Sequence, residues 1–331
     1  MPQKAFAAEY LEKPPEWKQP IEANGLVAIV DGRPSAVVRL GSSSGSDLAI
    51  ASIDVKSRSA VPAGQPFGID GRDLFPQAWV STESASRLVV LACDPGSEQD
   101  SCSHPSIEQF SREGASWRHS GTISTDEFKV STWPSVTAAL LDRVGLFVSV
   151  SNIDSGSTGS MGSTTMLVDD AGTARTVSRV DELVDATCRT GDSVIQLTHS
   201  SAESRANLVS LWPSQTAFSQ LGSGPWSMSC EPTLLWNAGS AMRGTDLKPI
   251  VLPVDTQPVD ASDGVVVTAD PTGFNVQLVS ATTEAVVATY NLGRPFGPIS
   301  MAADESGQLI AMDVAPPDGD HLPVWIRTTS K

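Results

Sequence analysis

Four histidines and four cysteines carry most of the reactive side chains in this chain of 331 residues, and their spacing limits what they can do. His104, His119, His199 and His321 show no ligand spacing and no Cys-x-x-Cys occurs, so no metal centre is assigned. Three acidic turns invite a calcium reading: DDAG from Asp169, DPTG from Asp270 and DESG from Asp304. None has the alternating Asp/Asn ligands and closing bidentate Glu of an EF-hand loop. Asp and Gly are also what tight hairpin turns select, so these read as plain turns. Serine is abundant, yet no G-x-S-x-G elbow presents a nucleophile, and Gly156-Ser157-Thr158-Gly159 is loop composition. With no G-x-G-x-x-G opening a helix and no G-K-[ST], no nucleotide cradle exists. No catalytic residue and no cofactor are assigned.

The cysteines do have a use. Cys93 and Cys102 stand at the neck of the loop CDPGSEQDSC, while Cys188 and Cys230 close the segments VDATC and WSMSC, which occupy equivalent places in successive copies of a repeat. Four cysteines permit three pairings. The positions favour Cys93–Cys102 and Cys188–Cys230, with four reduced thiols in a cytosolic protein as the alternative. Paired cysteines place a protein outside the reducing cytosol, so an extracellular or cell-envelope location is expected.

The element that must position everything is that repeat, a small-residue strand, a turn and a more apolar strand. It begins at Pro20, Pro76, Pro134, Glu182, Pro225, Pro258 and Pro298. The copies start roughly 33 to 58 residues apart, the period of a four-stranded propeller blade with uneven loops. Glycine (26) and proline (23) punctuate short alternating strands, and no sustained helical periodicity competes with them. The fold class is therefore all-β, a β-propeller of seven four-stranded blades. Six is the alternative, because the fifth copy is short and Pro249 and Pro253 donate no ladder hydrogen bonds. In the first copy LVAIV (26–30) reads as the second strand, SAVVRL as the third and DLAIASID as the fourth. The last copy leaves room for one more strand, LPVWIR at 322–327, so AFAAEYL near the N-terminus is expected to complete that blade and close the ring. The domain reading is residues 1–19 as closing strand and Pro-rich connector, and 20–331 as a single propeller domain.

A net charge of -16 opposes nucleic acid and anionic lipid, and no basic run offsets it. No stretch of about 18 apolar residues exists to span a bilayer. The first twenty residues lack a signal peptide's apolar core, so an export signal or anchor is expected to be absent from this sequence.

Loops leading into the first strands, and loops joining second to third strands, emerge on one propeller face. Phe67, Phe75, Trp133, Trp226 and Phe296 map there, with Arg72, Arg243 and Arg294. Rigid aromatics and Arg dominate recognition surfaces, so these eight are the candidate binding residues. Packing between blades is the competing use of each aromatic. Asp154, Asp320 and His321 fall in second-to-third-strand loops and could add polarity. The first-strand copies offer few polar groups, Glu22, Glu83, Asp185, Asp260 and Asp304.

Two resemblances bear on this. SREGASW at 111–117 resembles the Asp-box of sialidase-type propellers, but it is one residue short, has Glu113 for Asp and occurs once. GRPFGPISMAADESGQLIAMDV at 293–314 resembles the blade phrase of YVTN/NHL-type propeller repeats, in which a Pro-led inner strand precedes an acidic-Gly turn and an apolar strand. That resemblance implies a propeller whose relatives include scaffolds, ligand binders, lactonases and quinoprotein dehydrogenases. The function expected is a non-catalytic extracytoplasmic binding or scaffold protein that recognises a protein or a cell-envelope glycan. The alternative is a metal-dependent propeller hydrolase or lactonase with its site at the central channel. A structural part of a membrane-bound assembly whose anchor is missing is a third reading.

Overall fold

The computed structural model describes residues 9–30, 33–42, 45–97, 102–123, 134–153, 161–169, 173–200, 205–230, 232–292, 300–312 and 321–327. These form strands and no helix, arranged as seven four-stranded antiparallel sheets, the blades of a β-propeller. The first strands are Ile21–Val30, Asp73–Ser81, Pro134–Leu141, Leu183–Thr190, Ser227–Ser229, Gln257–Ser262 and Ser300–Ala303. In blades one to six, four consecutive strands pair in chain order. In blade seven the fourth place is taken by Glu9–Glu12, which pairs with His321–Arg327.

Two compact units divide the chain. One comprises residues 37–50 and 63–225 and holds blades two, three and four. Its blades meet through apolar side chains, Val89 and Ile107 of blade two with Val136, Val148 and Val150 of blade three, all buried. Phe147 of blade three packs with Val194 and Leu211 of blade four. A buried polar network adds to this contact. The Gln196 amide donates to Ser149 Oγ at 2.7 Å and Thr165 Oγ1 at 2.9 Å, and Thr187 Oγ1 lies 2.8 Å from both Ser149 and Thr137. Such a network is stable only because each hydroxyl has a partner.

The other unit comprises residues 1–36, 51–62 and 226–331 and holds blades five, six and seven. Here Leu234, Ala241 and Ile250 pack against Ala261 and Val266, and Val265, Val267 and Leu278 against Ala303, Leu309 and Ala311, with Ser262 bonded to the Ala303 backbone across blades six and seven. Val265–Ala269 is buried at every position, as an uninterrupted β-branched run between two turns should be.

Blade one departs from the sequence reading. The chain runs through Asn24-Gly25 without turning, and Ile21–Val30 is one continuous strand. Each later segment therefore moves one place inward, to Arg33–Ser42 and Gly45–Asp54, and the outer strand is Ser59–Pro62. Asp54 turns the chain there, its carboxylate accepting from the Lys56 N–H at 2.9 Å. Blade five is complete despite its prolines. Pro249 sits in the outer strand Lys248–Ile250 opposite Met242, where the missing N–H would have faced away from the ladder, and Pro253 lies beyond that strand. Seven blades, not six, follow.

Cys93 and Cys102 form a disulfide with Cα atoms 5.3 Å apart, fully buried beside Phe75 and Leu91. Cys188 and Cys230 are also disulfide-bonded, and no free cysteine remains.

One feature recurs in blades two, four and six. The first strand carries an extra residue, so that Pro76 and Ala78 pair with adjacent Val90 and Val89, Val184 and Ala186 with Thr198 and Leu197, and Pro258 and Asp260 with Thr268 and Val267. The bulged residues are Gln77, Asp185 and Val259. A bulge re-aims a side chain and disturbs the ladder locally.

Candidate functional site

The end of a blade at which its first strand begins, and at which its second strand passes to its third, is called here its leading end. In blade four this end is polar and closed. The bulge at Asp185 is pinned by the preceding residue, since the Val184 N–H donates to Ser151 Oγ at 2.9 Å and to Ser163 Oγ at 3.0 Å. Asp185 then reaches His199 on the second strand, Oδ2 to Nδ1 2.5 Å. Burial pushes the Asp185 carboxyl up, and the hydrogen bond and charge of His199 oppose the push. Glu182 accepts from the buried Thr198 hydroxyl and, at 3.3 Å, from the Asn207 amide. The other histidines described in this unit are held the same way, His104 by Asp94 at 2.6 Å and His119 by buried Glu108 at 2.8 Å.

In blade six the leading end is apolar and open. Val254, in the segment before Gln257, is 87% exposed, and Val259 on the bulge and Phe274 before the third strand (Asn275–Ser280) are each 38% exposed. The register brings them to one end, because Gln257 pairs with Ala269 and Ala269 with Val276. Beside the bulge lies Asp260, whose carboxylate accepts the Ala261 N–H at 2.7 Å. Burial pushes it up to about 7, opposed only by that N–H, and no cation contributes. Asp270, beneath Phe274, is the reverse. The Thr272 hydroxyl at 2.7 Å and the Asn275 amide at 2.6 Å hold it down at about 2, so it stays ionised.

Five of the eight residues expected to form a recognition surface are described, and four of them are buried or tied to backbone carbonyls. Phe75 (1% exposed) and Trp226 (6%) are core residues, and Arg39 lies over the Phe75 ring at 4.0 Å, so neither can meet a partner without opening the fold. Arg72 donates to the carbonyls of Ala92 at 2.5 Å and His104 at 2.7 Å and lies 3.8 Å from Asp94. Arg243 lies opposite Leu234, at the far end of blade five, and donates to the Ala281 carbonyl at 2.6 Å. Both guanidinium groups tie loops together. Phe67 is partly exposed and packs on Phe110 and Trp117, ring centroids 5.0 and 6.0 Å apart. Trp117, from the Asp-box-like segment, is itself buried. Trp133, Arg294, Phe296, Asp154 and Asp320 lie outside the described residues, and so does the side chain of His321.

Reasoning from sequence flagged Asp185 and Asp260 but missed His199, Val254, Val259 and Phe274. A signal was there: PVDTQPVD repeats an apolar residue where a connecting loop is normally polar. Among the described residues no three His, Cys, Asp or Glu side chains gather as a metal-binding group, and no helix is long and apolar enough to cross a membrane.

No protein-family model and no curated protein sequence matches the chain. Among solved structures it is similar to hydrazine synthase of Kuenenia stuttgartiensis, at 12% identity and a TM-score of 0.54 over 95% of this chain and 97% of that one. It is also similar to the α-L-arabinanase of Penicillium chrysogenum complexed with arabinobiose (10% identity, TM-score 0.49, 98% and 99% covered). Apo AztD of Citrobacter koseri aligns at 12% identity and a TM-score of 0.48, with 92% and 89% covered. At such identities, what the chain shares with the first of these is the β-propeller fold.

Proposed function

We propose that this chain is a non-catalytic, extracytoplasmic binding or scaffold protein that recognises a partner of the cell envelope, and that the leading end of blade six is where it does so. One observation carries this: Val254, Val259 and Phe274 are exposed together at one end of a single sheet. Exposed apolar groups that cluster on loops mark interaction sites, whereas scattered ones need no explanation. Two of the three are aliphatic valines, which suit a protein's apolar side chains. The two disulfides fit an oxidising location. A kinship with YVTN/NHL-type repeat proteins fits the same reading.

Photo-crosslinking tests it. p-Benzoylphenylalanine at position 254, mixed with envelope extract of the source organism, should give a discrete adduct. The same probe at exposed Arg118 of blade two should not. Excess unlabelled protein should suppress the adduct and the Phe274→Glu protein should fail to. Equal labelling from both positions would overturn the proposal.

A further inference from the structure

We infer that the leading end of blade six takes a lysine- or arginine-bearing apolar segment of a partner protein, with the partner's cation set against Asp260 and its apolar side chains against Val254, Val259 and Phe274. This rests on the reading above and specifies the partner's chemistry. Charge is the first argument. From Pro249 to Leu292 the chain carries five carboxylates, Asp255, Asp260, Asp263, Asp270 and Glu284, and not one Lys, Arg or His. Lys248, just before this stretch, is held by Asp246 at 2.9 Å. Blade six therefore supplies no cation of its own to its carboxylates. Asp263 and Glu284 fall in turns at the opposite end of the blade, while Asp255, Asp260 and Asp270 lie at its leading end. An apolar patch beside acidic groups rejects acidic segments and selects basic ones.

Asp260 is the second argument. Its carboxyl is partly buried and, among the described residues, accepts one backbone N–H. A carboxylate removed from water is stable as an anion only when paired, so within the free blade the group titrates near neutrality. An ammonium or guanidinium brought there on an apolar stem would favour ionisation, and binding at neutral pH would release a proton. Asp270, fixed as an anion by Thr272 and Asn275, keeps a second negative charge beside Phe274 at every pH above its own titration. The bulge matters because it turns Val259 outward immediately before Asp260, placing an apolar and an acidic group side by side.

Selection from a displayed library of random dodecapeptides, with the full chain as bait, tests this. Enriched peptides should contain Lys or Arg flanked by aliphatic or aromatic residues. Their binding should fall at least tenfold in Val254→Glu and in Asp260→Asn, and should be about tenfold tighter at pH 8 than at pH 5.5, the change expected for one unit of linked titration. Asp260→Asn should lose that pH dependence. Site-dependent enrichment of peptides without a cation, sensitive to Val254→Glu but not to Asp260→Asn, would overturn the basic partner and leave the docking end standing. Enrichment indifferent to both substitutions, or none at all, would overturn both readings.

Discussion

Blades four and six use the same backbone device to opposite ends. Each begins with a bulge, at Asp185 and at Val259, opposite adjacent residues of its second strand. In blade four the bulge carries a carboxylate, and the blade supplies what it needs: His199 for Asp185, Thr198 and Asn207 for Glu182. In blade six the bulge carries an exposed valine, and among the described residues no cation acts on the neighbouring carboxylate. The difference shows that the backbone sets where a side chain emerges, while charge balance within the blade decides whether that place is finished or waiting. Residues 182–223 hold Arg189, His199 and Arg205 among their acids, whereas 249–292 hold no base.

Substitutions can break this contrast from either side. The largest effect is expected at Asp260. Its folded-state titration at about 7 stands above the ordinary 3.8, so the folded chain binds a proton that the unfolded chain has lost, and stability falls as pH rises between those values. The ceiling is about 4 kcal/mol, and residual exposure should reduce it to about 3 kcal/mol. Asp260→Asn should therefore stabilise the protein by that amount at pH 8, change little below pH 4, and flatten the pH dependence of urea unfolding. In blade four the sign reverses. Glu182→Leu strands the buried Thr198 hydroxyl and the Asn207 amide and should cost about 2 kcal/mol by the same measurement.

Asp185→Asn sharpens the comparison at a smaller scale. Burial outweighs His199 in raising this carboxyl, so the substitution should stabilise the protein at pH 8, by less than at Asp260 because His199 offsets part of the burial. Val254→Lys should change unfolding by less than about 0.5 kcal/mol, because an 87% exposed side chain contributes little to the core. It should nevertheless abolish docking, which separates the surface from the fold.

Much of the fold could be read from residue patterns, because a blade must repeat its apolar alternation to bury both faces. VVVTA and NVQLVS announce their strands by burial alone. Blade one misled because LVAIV reads by itself as a complete strand, whereas it is the second half of the ten-residue strand Ile21–Val30. The recognition residues were harder. Phe75 and Trp226 have the composition of a surface anchor and the burial of a core residue, and composition cannot tell the two apart. Arg72 and Arg243 are spent on carbonyls that only the folded chain brings near. Asp185 and Asp260 stood out as scarce polar groups on first strands, yet His199 emerges as a partner only through the strand pairing that sets it beside the bulge.

The measurement that tests the central claim most directly is a carbon-detected NMR titration of the aspartate carboxyl groups, with Asp260 assigned by its loss in Asp260→Asn. An uncompensated carboxyl at the leading end of blade six should titrate near 7 in the free protein and move down when a basic peptide from the selection is added. Titration of Asp260 in the ordinary carboxylate range, unmoved by the peptide, would contradict the account.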